Sequence, residues 1–181
     1  MIAAAGLDQP SGLEAPDELQ RLERERFVEL FGGVFERAPW VAEQAFDAGP
    51  FHGIEALHGA MVEAMRQAPR ERQLALIRAH PDLAGRAAVA GELTAASSAE
   101  QASAGLDQCT PAEFERLREL NDKYKKKFHF PFILAVKGKT RAEILAAFEQ
   151  RLDSPPEAEF DEALNQIARI ARFRLEDPIR A

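Results

Sequence analysis

The sequence predicts an all-α fold, a single-domain bundle of several helices with one extended apolar segment. Three observations carry this. Apolar residues recur at helical spacing through most of the chain, and "TPAE" and "TRAE" give two marked helix starts. Only one apolar run, Phe128 to Val136, departs from the helical period, so a sheet would lack a second strand.

Taken in order, Phe27, Leu30, Phe31, Val34 and Phe35 follow i, i+3, i+4, i+7, i+8 and predict an amphipathic helix; Ile54, Leu57, Met61, Val62 and Met65 repeat the stripe. Pro39 suits the first turn of a short helix over Trp40 to Phe46. Leu74 and Ile77 lie on a helix that Pro81 must stop. Thr110 to Glu113 combines an N-cap, a proline at the first helical position and a capping-box glutamate, ahead of Phe114, Leu117 and Tyr124. Thr140 to Glu143 opens a helix carrying Ile144, Leu145, Phe148 and Leu152, which "DSPP" closes before a last helix from about Pro156 to Glu176. Between them, "FHFPFILAV" is expected to run as extended backbone whose N–H and C=O groups must find partners outside a sheet, some of them on a ligand.

A chain of 181 residues can bury one core, and a mobile extension over 1–16 ahead of a helical domain over 17–181 is expected. The N-terminus lacks a basic leader and "DPIRA" is no peroxisomal address. No run approaches the ~18 apolar residues of a membrane helix. The formal charge of −7, with one short basic patch in "KYKKK", argues against a nucleic-acid partner and for a small molecule. A single cysteine, Cys109, can form neither an internal disulfide nor a thiolate cage, which suits a reducing compartment such as the cytoplasm.

Several constellations compete for the chemistry. "FPFILAVKGKT" imitates a strand entering a phosphate loop, but the required first glycine would fall at Ile133; Lys137 and Lys139 read as a solvated turn. The histidines, His52, His58, His80 and His129, form no metal-ligand spacing, and His58 reads as a hydrogen-bonded core or edge residue. His80 stands apart because Pro81 forces it out of the α region, so it must project, stiffly held, from a helix end. A histidine favoured there by the helix dipole is the other reading. Ser97, Glu100 and Gln101, at i, i+3 and i+4, share a helix face among small alanines. Ser97 and Glu100 also fit a capping box, and the helix start could receive an anion. On the last helix, at about 100° per residue, Phe160, Leu164, Ile167, Ala171 and Arg174 fall within about 40° of one direction. Arg174 therefore faces the core, where its guanidinium needs an anion, Glu100 or a substrate carboxylate, unless it snorkels to solvent.

Together, "FGGVFERAPWVAE", "AHPDLAGRAAVAGELTAASSAEQASAGLD", "LNDKYKKKFHFPFILAVKGKT" and "IARFRL" resemble the 2-oxo-4-hydroxy-4-carboxy-5-ureidoimidazoline (OHCU) decarboxylase family, from about Phe27 to Leu175. The resemblance implies an all-helical, cofactor-free homodimer that converts OHCU to (S)-allantoin and CO2, in functional association with the urate oxidase and hydroxyisourate hydrolase steps. It implies His80 as the catalytic histidine, and the chemistry suits a second catalytic role for Glu100, polarising it. Pro81, Ser97, Ser98, Ala99, Glu100, Gln101 and the backbone of Phe132, Ile133, Leu134, Ala135 and Val136 would line the substrate site, and Arg174 would bind substrate. A non-catalytic helical adaptor, or a hydrolase of a related ureide, are the rival readings.

Overall fold

The computed structural model describes residues 19–85 and 92–176; the expected extension over 1–16 lies outside them. Among the described residues the regular structure is helical, with no strand: α1 (Arg24–Phe31), α2 (Trp40–Phe46), α3 (Ile54–Gln67), α4 (Arg70–Ala79), α5 (Ala95–Ser103), a 3-10 turn (Leu106–Gln108), α6 (Pro111–Phe128), α7 (Arg141–Leu152) and α8 (Pro156–Glu176). None of these helices is long and apolar enough to cross a membrane.

The two sequence-marked starts form as expected. Thr110 and Thr140 each accept the N–H three residues on, and Glu113 and Glu143 reach back to the cap, satisfying donors that a helix start leaves open. The first helix is shorter than its stripe suggested. It ends at Phe31, followed by Gly32, where a Cβ would meet the Val28 carbonyl at 2.5 Å. Val34, Phe35 and Glu36 are buried side by side in a non-helical turn. A further correction concerns α5. Its cap is Thr94, whose hydroxyl accepts the Ser97 N–H, so Ser97 and Glu100 form no capping box and their side chains are available for other work.

The last helix is the axis of the molecule. It packs on α3 and α4, while α6 lies on α7 and α2 bridges α1 to α3. His58 of α3 hydrogen-bonds the Ala168 carbonyl of α8 at 2.8 Å. Tyr124, Phe128, Phe130, Phe132 and Phe148 form an aromatic cluster in which the rings of Phe132 and Phe148 stack 3.8 Å apart. Such packing fixes the extended segment, because Phe132 is one of the cluster's own members.

The rest of that segment is held by polar side chains from neighbouring helices, as a strandless buried backbone requires. Arg151 donates to the Ile133 carbonyl at 2.6 Å and lies over the Phe132 ring. Its charge is balanced by buried Glu159, which also accepts the Tyr124 hydroxyl. The Ala135 N–H donates to Gln166 Oε1 at 3.0 Å, and Val136 receives the Lys139 N–H in the turn around Gly138. The N–H groups of Ile133, Leu134 and Val136 make no hydrogen bond among the described residues.

Candidate active site

His80 closes α4 with φ −74° and ψ 139°, the extended conformation that Pro81 imposes on the residue before it. Its ring is buried, and Nδ1 lies 3.0 Å from the Leu76 carbonyl. A carbonyl only accepts, so the proton sits on Nδ1 and Nε2 carries the lone pair. That Nε2 is buried with no hydrogen-bond partner among the described residues. Burial pushes the His80 pKa down to about 4; the Leu76 carbonyl and the Glu36 charge favour the cation, and the Arg174 charge disfavours it. The imidazole is therefore neutral at pH 7.

This buried ring makes stability depend on pH. An unfolded histidine keeps its ordinary value of 6.5, above the folded one, so protons favour the unfolded chain as the pH falls. The contribution is complete above pH 6.5 and lost as pH descends through the folded value near 4. Over that window it amounts to roughly 3 kcal/mol, each pKa unit being worth about 1.4 kcal/mol. Urea unfolding of the wild type and His80→Asn between pH 7 and 4 is expected to show the steeper loss in the wild type. Parallel curves would mean that His80 is not the group responsible.

A small hollow of about 30 Å3 opens beside this ring, between α4, α5, the extended segment and α8. His80, Pro81, Ser97, Glu100, Gln101 and the run 132–136 line it, and so do Leu83, Ile170 and Phe173. Four stretches of the chain thus meet at one small concavity. Ser98 and Ala99 do not line it: one and two positions beyond Ser97, they turn to the exposed side of α5. Gln101 is fixed as part of the wall, its Oε1 accepting the Ala84 N–H at 2.9 Å and its Nε2 donating to the Asp82 carbonyl at 3.3 Å.

Arg174 faces inward as its helical angle required, yet it stands behind the wall and is not among the lining residues. Its Nε and Nη2 grip the two oxygens of Glu100 at 2.6 and 3.0 Å, a bidentate pair. Nη2 also reaches Glu36 at 3.0 Å and Ser97 Oγ at 3.2 Å, and Nη1 donates to the Val34 carbonyl at 3.2 Å. Burial works against its charge, but Glu100 and then Glu36 hold its pKa above the ordinary value. Glu100 hydrogen-bonds Arg174, with no bond to His80 among the described residues; the carboxylate whose charge bears on His80 is Glu36.

Glu36 is the residue that sequence reasoning missed. Its side chain is 2% exposed and accepts from both Arg174 and the Ser97 hydroxyl, the latter at 2.9 Å. Burial raises its pKa, but the Arg174 charge and the Ser97 and Thr94 hydroxyls outweigh that and keep the carboxyl below its ordinary value. One signal pointed to it: an inward guanidinium needs anions, and Glu36 is an acidic residue set between Phe35 and Ala38 just after the Gly32-Gly33 pair that breaks α1.

Comparisons with known proteins fit this geometry. The family model described as OHCU decarboxylase matches residues 20–176. The chain is 44% identical over 161 residues to the 2-oxo-4-hydroxy-4-carboxy-5-ureidoimidazoline decarboxylase of Halalkalicoccus jeotgali, covering 89% of each. It is 40% identical over 163 residues to a uric acid degradation bifunctional protein of Bacillus subtilis, covering 90% of this chain and 32% of that one. Its fold is similar to a crystal structure of OHCU decarboxylase in the presence of (S)-allantoin, with a TM-score of 0.62 at 27% identity over 84% of this chain and 95% of that one. With the match running through every element that builds the hollow, from Glu36 to Arg174, the chain belongs to the OHCU decarboxylase family.

Proposed function

We propose that the hollow beside His80 is where OHCU loses CO2 to give (S)-allantoin, with Nε2 of the neutral imidazole as the proton carrier. The chain is a carboxy-lyase of uric acid degradation. The observation that carries the residue assignment is the buried, unpartnered Nε2 of His80, a residue that lines the hollow. A basic lone pair held away from water is costly unless a ligand meets it.

The chemistry needs an electron sink, and the substrate contains one. When the bond from C4 to the carboxylate breaks, its electron pair is left on C4 and delocalises through C5 onto the ring imine nitrogen, which takes a proton from solvent. The product of that step is an enol. His80 Nε2 then removes the C4 hydroxyl proton as the carbonyl forms, and the resulting imidazolium returns it to one face of C5. One proton is consumed and one CO2 released, and delivery to a single face sets the S configuration.

The rest of the hollow orients the ring. Glu100, about a quarter exposed and clamped by Arg174, offers a carboxylate edge to ureido N–H groups. The free N–H groups of the run 132–136 suit the ring and ureido carbonyls, while Leu83, Ile170 and Phe173 exclude water. A pocket made of committed polar groups rejects ligands that leave them unpaired. Arg174 acts from behind, by holding Glu100 and Ser97 in place.

Freshly generated OHCU, followed by CO2 release and by the circular dichroism of allantoin, tests this directly. Stoichiometric CO2 with (S)-allantoin alone is expected; the R enantiomer or a racemate would overturn the assignment. Ring opening without CO2 would fit a ureide hydrolase, and no turnover would fit an adaptor. A cytoplasmic homodimer whose single domain spans 17–181 completes the proposal, supported by the family resemblance and the lone Cys109. The bifunctional relative supports an association with neighbouring steps of urate breakdown.

A further inference from the structure

We propose that Glu36 is a positioning residue that fixes the hydrogen-bonding polarity of the hollow, making Ser97 an obligate acceptor that reads an N–H group of the ligand. This rests on the reading that OHCU and allantoin occupy the hollow.

The argument follows from which atoms can donate. Ser97 Oγ lies 2.9 Å from Glu36 Oε2, and an ionised carboxylate can only accept, so the hydroxyl proton is committed to Glu36. Arg174 Nη2 lies 3.2 Å from the Ser97 oxygen and can only donate, so it too meets Ser97 as an acceptor. What Ser97 has left to offer the hollow it lines is lone-pair density. Ser97 can therefore meet a ligand only as an acceptor.

The neighbouring groups have the same sense. His80 Nε2 is an acceptor because Nδ1–H is spent on Leu76, and the Glu100 carboxylate is an acceptor by nature. The helical wall made by α4 and α5 thus asks for donors at three points, whereas the facing run 132–136 supplies main-chain N–H groups. A ureide alternates N–H donors with carbonyl acceptors along its edge, which is the pattern such a hollow would discriminate. Glu36 never touches the ligand in this scheme. It sits below Ser97, buried, and acts by orienting one hydroxyl and by sharing Arg174 with Glu100.

The test is a cycle of Glu36→Gln, Ser97→Ala and the double variant. It is read by KM and kcat for OHCU turnover and by calorimetric Kd for (S)-allantoin, with far-UV circular dichroism as a folding check. Glu36→Gln can turn its amide N–H toward Ser97 and release the hydroxyl proton into the hollow. Each single variant is expected to raise KM and Kd by about tenfold, the order of one hydrogen bond, with a smaller change in kcat. The Ser97→Ala background should absorb most of the Glu36→Gln effect, because both act on one acceptor. Effects that multiply in the double variant would overturn the inference, as would Ser97→Ala binding like the wild type. Should Glu36→Gln fail to fold, Glu36→Asp takes its place: it keeps the charge but shortens the reach, and must raise KM only when Ser97 is present. If the hollow is not the binding site at all, His80→Ala will also leave turnover untouched, which separates that failure from this one.

Discussion

Replacing His80 with Ala is expected to lower kcat for (S)-allantoin formation by about 10^2 to 10^4-fold, the range a positioned acid–base group contributes. KM should change far less, because the contacts that orient the ring belong to α5, α8 and the run 132–136. The physical reason lies in the local chain. Pro81 forces the extended turn, the Leu76 carbonyl fixes the tautomer, and burial keeps the imidazole unprotonated until a substrate arrives. A freely exposed histidine would be solvated and half-charged near its ordinary pKa. The same burial sets the pH profile. With the free-enzyme pKa depressed to about 4, kcat/KM should hold from neutrality down to about pH 5 and fall as Nε2 is protonated below it. An acid limb centred near 6.5 would show that His80 is exposed in solution or is not the base. Wild-type turnover by His80→Ala would remove it from the mechanism.

How far the site could be read from residues alone depended on whether its determinants were local. The stop after α4 follows from one dipeptide, and the starts of α6 and α7 from four residues each, so they were legible. Arg174 was legible too, because helical geometry converts position 174 into a direction once Phe160, Leu164, Ile167 and Ala171 define the buried side. What lay across the chain was not. The buried partnership of Glu36 with Arg174 spans 138 positions and depends on α1 ending at a glycine too close to Val28 for a side chain. Thr94 displaced Ser97 as the cap of α5 by starting the helix three residues sooner, and both hydroxyl residues satisfy the same N-cap preference. Leu83, Ile170 and Phe173 are ordinary apolar residues in the sequence, and only the tertiary fold brings them to the hollow.

Removing the positive charge at the centre of the site should cost the fold more than any single apolar truncation at its rim. Arg174→Met is expected to destabilise the protein by about 3–5 kcal/mol at pH 7.5, the typical cost of leaving a buried ion without its partner. Two carboxylates meet that guanidinium, and they are not equivalent. Glu100, with a side chain 24% exposed, can turn toward water, but Glu36 at 2% cannot. In the wild type, burial pushes the Glu36 carboxyl upward, and Arg174 together with the Ser97 and Thr94 hydroxyls outweighs it, holding the carboxyl below its ordinary value. Its contribution to wild-type stability is thus present above the ordinary carboxylate range and lost as pH falls through the folded value. Without Arg174 the Ser97 and Thr94 hydroxyls are left to work against burial, so the folded carboxyl binds its proton more tightly than in the wild type and less stability is lost as pH falls. The deficit of Arg174→Met should therefore shrink as pH is lowered from 7.5 toward 5. A second substitution, Glu36→Gln, should recover much of the loss at neutral pH by removing the orphaned charge while keeping the shape. Urea unfolding at the two pH values, on the single and double variants, measures all three effects. If Arg174→Met unfolds within about 1 kcal/mol of the wild type at both, the two carboxylates are already screened by water, and the dry ionic floor on which Ser97 and Glu100 rest does not exist in solution.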